Sequence, residues 1–498
     1  MNSSADFAPE RPRETLPRVL GPLAAFAFVI GGVVGSGIFL KPAKIAEEVG
    51  DLRWIVLVWI GVGAVSLFGA LTVAELASMF PQAGGPYVYL RESFGKLPAF
   101  LWGWTEFLII RTASIGALLT ACVIYATQAL PDNLQPSYGM KEAIACGLVV
   151  ILAAISCVST RGAGGVQVFT VSAKSILILS IVLLPLVSGA AHASNLSTIS
   201  EPKSHSLLIG LGAALLAVWW AYDGWINLGP LAEDIRDPQR NLSWAMFWGV
   251  SAVCGLYLCA TIGYHLVMPM SVLAASRAPA ADALALSFGE SMRTLVAIGV
   301  AISTLGTASA SLTIGPRVIF AMARDGLLPR FMQRLHPRFQ TPIYAILVQT
   351  FWALLIVHYC FFNAASEHEK ELVELKAKGE SHAESLATYE KKTLEGPNPR
   401  EAFDGLTNIA IFGGSIFYAL AVAAIYRFRQ THPDTPRPYK AWGYPITPAL
   451  TLVAFVAVIG NLFYQQPKES MLGLGLMAVG GLYYFAANRG KSIAATQS

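Results

Sequence analysis

Apolar stretches of about 20 residues or more recur along the whole chain, and this feature constrains the fold most. Such a stretch is long enough to cross the ~30 Å hydrocarbon core of a bilayer as a helix, which satisfies its own backbone hydrogen bonds. Apolar residues make up 54% of the chain and charged residues 13%, too few charges to cover a soluble protein. The sequence therefore predicts an all-α polytopic membrane protein with about 12 transmembrane helices. The predicted spans cover roughly 19–40, 54–79, 98–128, 140–159, 164–188, 207–231, 244–268, 291–323, 342–362, 406–428, 444–464 and 471–487.

These spans divide the chain into a tail over 1–18, a core over 19–428, two extra helices over 444–487 and a tail over 488–498. No small-residue cleavage site follows the first apolar run, so this run is expected to be a retained helix. A charged insert over 366–401 interrupts the core. Its Glu and Lys residues have balanced signs, which indicates a solvated, partly helical segment, and a role in binding a partner stays open.

Lys and Arg cluster before the first span, between spans eight and nine, after span ten and at the end of the chain. With an even number of spans, all these clusters fall on one side, which the positive-inside rule identifies as the cytoplasm. We therefore expect both termini to be cytoplasmic in a cell membrane, either inner or plasma, with the insert outside.

Glycines are unusually dense in the first span, in the run from Gly31 to Gly37. Small residues support close helix packing, but this run exceeds what packing requires. The sixth span has a second weak point in the run from Trp219 to Trp225, where Asp223 places an acidic residue at membrane depth.

The two weak points are separated by about 190 residues and occupy similar places in the two halves of the core. Paired interruptions of this kind indicate an inverted-repeat transporter whose binding site lies at the breaks. Two unrelated glycine-rich packing helices remain the alternative. An unwound turn exposes N–H groups that can bind a carboxylate and C=O groups that can bind an ammonium, so the pattern favours a zwitterionic amino acid as substrate.

Several motifs together resemble the amino acid–polyamine–organocation superfamily, and within it the L-type (heteromeric light-subunit-like) amino acid transporters. They are the Gly35-Ser36-Gly37 break, Pro81 to Tyr89, Leu108 to Arg111, Glu233 to Asn241, Arg317 to Pro329, and Arg437 to Lys440. The resemblance covers nearly the whole chain apart from the termini and the insert. It implies a LeuT-like fold with a 5+5 inverted repeat, broken helices 1 and 6, and two further helices.

The resemblance also implies roles for residues at the breaks. Backbone amides around Val34, Gly35, Ser36 and Gly37 would bind the substrate carboxylate, and the carbonyls of Val33, Trp220 and Asp223 its amine. Trp220 matches the position of an aromatic gate that is usually Phe. The full expected substrate-binding set is Val33, Val34, Gly35, Ser36, Gly37, Ile38, Trp220, Ala221, Tyr222, Asp223 and Gly224.

Lys174 lies deep in the fifth span, where a cation is costly without a partner. In the resembling transporters a lysine in this helix takes the place of a sodium ion. It would contact the first break and hydroxyl groups of the eighth span, for which Ser303 and Thr304 are candidates. This favours transport without sodium, although a lysine that gains and loses a proton would permit proton coupling.

Other polar residues inside the spans are expected to be structural partners. These are Glu106, Arg111, His265 and His358. Asp223 could select cationic substrates, bind another helix or offer only its carbonyl, and the balance favours neutral amino acids.

Nothing in the sequence indicates a catalytic site, a metal site or a cofactor. Nearly all of the six cysteines lie inside predicted spans, and none lies between spans three and four, where animal relatives join a glycoprotein. We therefore expect no disulfide-linked heavy subunit, no nucleic acid partner, and a monomer or weak homodimer in the lipid bilayer.

The sequence thus predicts a sodium-independent transporter that exchanges neutral L-amino acids by alternating access. Proton-coupled uptake of amino acids or polyamines is the alternative within transport. A non-transporting amino acid sensor and a polytopic enzyme are the alternatives from other classes. A sensor usually needs a signalling tail, and an enzyme needs paired reactive groups that the spans do not offer.

Overall fold

The computed structural model describes residues 15–131, 134–203, 206–276, 278–379, 386, 388–389 and 399–496. This part of the chain is helical, and its extended pairing is limited to two isolated bridges, Leu20 with Ile235 and Asp51 with Ile199. The described part therefore has the all-α architecture that the sequence predicts.

The helices of the first half follow one another with short connections. They are α1 (Pro22–Val33), α2 (Gly37–Val49), α3 (Leu52–Met79), α4 (Pro86–Phe94), α5 (Lys96–Thr105), α6 (Thr112–Gln128), α7 (Tyr138–Val158) and α8 (Thr160–Ser188). A π-helical turn, Glu106–Arg111, joins α5 to α6, and a 3₁₀ turn, Ala193–Ser197, follows α8.

The second half contains the longer helices. They are α9 (Leu207–Tyr222), α10 (Pro238–Val267), α11 (Met270–Ala275), α12 (Pro279–Phe288), α13 (Ser291–Arg324), α14 (Ile343–Gly379), α15 (Pro399–Thr431), α16 (Ile446–Gln465) and α17 (Pro467–Thr496). Two 3₁₀ segments, Trp225–Asp234 and Arg330–Gln333, follow α9 and α13.

Within the described residues, eleven helical segments are long and apolar enough to cross a membrane. They are α1 with α2, α3, α5 with α6, α7, α8, α9 with its 3₁₀ segment, α10, α13, α14, α15 and α16. The predicted span 471–487 lies within α17, which is not among these eleven. The polytopic fold is confirmed, and the count of twelve spans stays a prediction.

The first predicted break separates α1 from α2. Val34 leaves the helix with φ −75° and ψ 90°, and α2 begins at Gly37. The three residues between the helices interrupt the intrahelical hydrogen-bond ladder in the middle of a span.

The second predicted break ends α9 at Tyr222, after which Asp223 adopts an extended conformation. Gly224 has a φ of +112°, and a Cβ atom there would lie 2.6 Å from the Gly32 carbonyl oxygen. Glycine is required here because the conformation disfavours side chains and the two breaks approach closely. Past the break the chain continues as the 3₁₀ segment Trp225–Asp234 rather than as an α-helix.

The broken helices lie side by side in the helical bundle. α2 packs on α9, and α1 packs on the 3₁₀ segment Trp225–Asp234 and on α8, α10 and α13. Both breaks therefore meet inside one core cluster, surrounded by the long helices.

Two features differ from the plain spans that the sequence predicts. The third span contains the π-helical turn Glu106–Arg111, which brings the first and last side chains of the turn together. α14 continues to Gly379, so residues 366–379 of the predicted insert extend the ninth span as helix. Of residues 380–398, the structure describes 386 and 388–389.

Replacing Gly224 with Ala should destabilise the protein by about 1–3 kcal/mol, because a side chain would occupy the left-handed region and approach Gly32. The measurement is the melting temperature of the purified protein in detergent. Gly255→Ala in α10 is the matched control, since a Cβ atom there meets nothing within 4 Å. Equal melting temperatures for the two variants would contradict the close approach.

Candidate functional site

A cavity lies where the two helix breaks meet. Its walls come from both breaks, the π-helical turn, α6, α13 and α15. It is lined by Gly32, Val33, Gly35, Ser36, Gly37, Ile110, Arg111, Ser114, Leu118, Trp220, Asp223, Asn227, Thr307, Ser311 and Tyr418.

Six residues of the expected substrate-binding set line this cavity. They are Val33, Gly35, Ser36, Gly37, Trp220 and Asp223. The other five, Val34, Ile38, Ala221, Tyr222 and Gly224, belong to the adjoining backbone and are not part of the lining. The structure thus brings together two sequence segments that are far apart along the chain.

The N-terminus of α2 lies at the cavity, and its first residue, Gly37, is part of the lining. Gly37 and Ile38 are its first residues, so their N–H groups have no acceptor within the helix. Ser36 is the N-cap, its side chain makes no capping hydrogen bond, and its Oγ is buried with no partner among the described residues. Free amides and a helix N-terminus together suit a carboxylate.

The carbonyl groups of the first break are held by side chains from other helices. The fully buried Lys174 donates to Val34 O, lies 3.3 Å from Gly31 O and lies 3.0 Å from Thr307 Oγ1. Thr307 Oγ1 also lies 3.0 Å from Val34 O. An ammonium group therefore ties α8, the first break and α13 together.

The two hydroxyl residues expected beside Lys174 make other contacts. Ser303 Oγ donates to Gly35 O at 3.2 Å, so it also holds the first break. Thr304 Oγ1 bonds within its own helix, to Val300 O and Ala301 O. Thr307, one turn further on, is the hydroxyl that Lys174 reaches, and sequence reasoning missed it.

Two tyrosines of α10 also bind the broken helices, and sequence reasoning missed both. Tyr257 Oη lies 2.9 Å from Ala221 O and 3.3 Å from Val33 O, so it bridges the two breaks. The Val33 carbonyl, which the resemblance assigns to the substrate amine, therefore already faces a protein hydroxyl. The sequence offered one indication of this contact: a tyrosine inside a predicted span needs a hydrogen-bond partner for its hydroxyl when it is buried.

Tyr264 lies seven residues after Tyr257 on the same face of α10, and its Oη donates to Ile38 O at 3.1 Å. In an unbroken helix Ile38 O would accept from residue 42, which is Pro42 and has no N–H group. Tyr264 thus satisfies a carbonyl that the proline leaves without its usual donor.

A charged cluster borders the cavity opposite the first break. Arg111 Nε lies 2.8 Å from Glu106 Oε1, and Arg111 Nη2 lies 2.9 Å from Asn227 Oδ1. Asp223 is close enough to Arg111 and Tyr418 to interact with both electrostatically. Glu106 and Arg111 form an ion pair with each other, a pairing that the sequence did not predict, and Arg111 in addition forms part of the cavity wall.

Trp220 lines this cavity and also a second one. The second cavity is lined by Trp220 together with Lys41 and Lys44 of α2, Asn408 of α15 and other residues. Trp220 is therefore a wall residue that the two cavities share.

The opposite end of the bundle, where α1 begins, is closed by ion pairs and by the segment before α1. Glu233 accepts from Leu16 N at 2.8 Å, Ala83 N at 2.9 Å and Arg324 Nη1 at 3.1 Å. Beside it, Asp234 pairs with Arg317 at 3.1 Å, and both side chains are fully buried. The cavity is therefore shut on this side by several chain segments at once.

Comparison with known proteins gives a consistent picture. A family model described as amino acid permease matches residues 20–485. The serine/threonine exchanger SteT of Bacillus subtilis is 28% identical over 481 residues, covering 96% of this chain and 98% of the relative. The large neutral amino acids transporter small subunit 2 of Mus musculus is 28% identical over 483 residues (94% and 81%). The b(0,+)-type amino acid transporter 1 of Homo sapiens is 24% identical over 485 residues (96% and 89%).

Tyr257→Phe should lower the free energy of unfolding by about 1–3 kcal/mol, because it leaves a buried carbonyl without its donor. A lower melting temperature in detergent is the expected result. Tyr89→Phe is the matched control: its hydroxyl is equally buried and has no hydrogen-bond partner among the described residues. A melting temperature that falls as much in the control would exclude a specific role for the Tyr257 hydroxyl.

Proposed function

We propose, from the premise that this chain belongs to the amino acid permease family, that it exchanges neutral L-amino acids across a membrane without sodium. The family match confirms the resemblance to the amino acid–polyamine–organocation superfamily and to its L-type branch. The chain is accordingly an amino acid transporter and not an enzyme. The coupling, the substrate preference and the roles of individual residues are the parts that we propose.

The observation that carries the proposal is the cavity between the two breaks. At one side the N-terminus of α2 offers the amides of Gly37 and Ile38 for a carboxylate. At the other side α9 ends, and the last carbonyls of a helix carry partial negative charge that attracts an ammonium. A zwitterionic amino acid would fit between them with both charges compensated.

Lys174 supports transport without sodium. Its ammonium lies among the carbonyl oxygens of Gly31 and Val34 and the hydroxyl of Thr307, a set of neutral oxygens that would also suit a monovalent cation. A cation attached to the protein at this place would make a bound sodium ion unnecessary. We therefore assign Lys174 the role of a permanent substitute for a coupling ion.

The charges around the cavity support a preference for neutral side chains. Lys174 and Arg111 carry positive charge, and Glu106 and Asp223 carry negative charge, so these four groups sum to zero when ionised. A substrate with a neutral side chain adds no net charge to this buried region, whereas a cationic substrate adds an uncompensated one.

Alternating access would use the two ends described above. Movement of Trp220 would open the cavity to the larger cavity beside α2, and release of Glu233 and Asp234 from their arginines would open the other end.

We propose that the end with the ion pairs and both termini lie on the cytoplasmic side of a cell membrane, because Lys and Arg are concentrated there. A monomer or weak homodimer without a disulfide-linked subunit is part of the proposal, and the described residues between α6 and α7 contain no cysteine.

The proposal is tested by uptake of labelled alanine, leucine and arginine into liposomes that contain the purified protein. In sodium-free buffer, uptake of alanine or leucine should require an amino acid inside the liposome, and arginine should be a poor substrate. Accumulation driven by a pH gradient in the absence of internal amino acid would instead establish proton coupling. A requirement for sodium would overturn the role of Lys174.

Lys174→Met should slow exchange by about 10- to 160-fold, the factor that corresponds to ~1.5–3 kcal/mol for hydrogen bonds from a charged group. The measurement is the initial rate of exchange in sodium-free liposomes. Lys141→Met in α7, at a partly exposed position away from the cavity, is the control and should keep the original rate. An unchanged rate in Lys174→Met would remove the lysine from the mechanism.

A further inference from the structure

The loop between α13 and α14, residues 325–342, carries an unusual concentration of positive charge. Arg330, Arg334 and Arg338 recur every four residues, and all three are exposed. Among the described residues, none of the three guanidinium groups forms an ion pair. The loop therefore presents three cationic groups that the described part of the protein does not neutralise.

Other arginines at the same end of the bundle are paired. Leu335 of the loop packs against Leu16, Ala83 and Phe320, which places the loop beside the start of α1. The ion pairs at this end are Arg91 with Asp325, Arg317 with Asp234, Arg324 with Glu233, and Arg429 with Glu75. These carboxylates are partly or fully buried and already paired. They therefore do not neutralise the three arginines of the loop.

Aromatic side chains accompany the arginines. Phe331 is 42% exposed and Tyr344, in the first turn of α14, is 41% exposed. Their rings meet edge to face with centroids 5.9 Å apart. α14 is long and apolar enough to cross a membrane, so this pair in its first turn would lie where the helix enters the bilayer, a level at which aromatic rings favour the headgroup region.

We propose that Arg330, Arg334 and Arg338 form a binding site for the phosphate headgroups of anionic phospholipids, with Phe331 and Tyr344 seated in the interface below them. Exposed cations beside a membrane attract an anionic leaflet, and guanidinium groups bind phosphate oxygens with directed hydrogen bonds. The short 3₁₀ segment Arg330–Gln333 turns Phe331 and Arg330 outward together. The site depends only on the chain lying in a membrane, so it stands apart from the proposed exchange activity.

The test is native mass spectrometry of the full-length protein released from a defined mixture of phosphatidylglycerol and phosphatidylcholine. The unmodified protein should retain phosphatidylglycerol in preference to phosphatidylcholine. Each single Arg→Gln substitution should reduce the ratio of retained phosphatidylglycerol to phosphatidylcholine about five-fold, the factor for the loss of about 1 kcal/mol of hydrogen bonding between a guanidinium group and phosphate oxygens. The triple variant R330Q/R334Q/R338Q should lose most of the preference.

Two further variants separate a site from a general effect of charge. R161Q/R240Q/K440Q removes three exposed cations outside the loop and should keep the preference. R330K/R334K/R338K keeps the charge of the loop and should retain part of the preference, which measures the guanidinium contribution. An unchanged ratio in the loop triple variant, or an equal loss in R161Q/R240Q/K440Q, would overturn the proposal, and neither result bears on exchange.

Discussion

An unwound backbone in the middle of a bilayer has no water to complete its hydrogen bonds, and the rest of this structure depends on how that requirement is met. At the first break the protein supplies Lys174, Ser303, Thr307 and Tyr257 as donors to successive carbonyl oxygens. These side chains come from α8, α10 and α13, so the break is also the point at which the surrounding helices are joined. The amides at the start of α2 are left on the cavity side, where a substrate carboxylate can take the place of water.

The cavity also requires that the two helix breaks approach each other closely. Gly224 brings its backbone against Gly32, and a Cβ atom on Gly37 would lie 2.8 Å from Ala221. Glycine at these positions lets two chain segments from different halves of the molecule share one cavity. The two broken helices are therefore in contact through their backbones and through the Tyr257 hydroxyl, which is hydrogen-bonded to both.

Whether an arginine is paired with a carboxylate depends on how deeply it lies in the molecule. Deep in the bundle Arg111 is compensated by Glu106, and at the end where α1 begins Arg317 is compensated by Asp234, because an unpaired buried charge is costly. At the edge of the same end, Arg330, Arg334 and Arg338 are exposed and unpaired with protein carboxylates among the described residues. Arg317 and Asp234 hold the closed end together, and Arg330, Arg334 and Arg338 face the membrane surface.

Hydropathy, motifs and glycine density are local properties of the chain, so the polytopic helical fold, the family and the two broken spans could be predicted without a structure. The sequence also identified Lys174 as a residue that needs a partner. It did not identify Thr307 as that partner, the bridge made by Tyr257 or the π-helical turn that pairs Glu106 with Arg111. The contacts of Thr307 and Tyr257 depend on which faces of distant helices meet, and these follow from the packing of the folded chain, since one sequence gives the period of a helix but not its rotation against its neighbours.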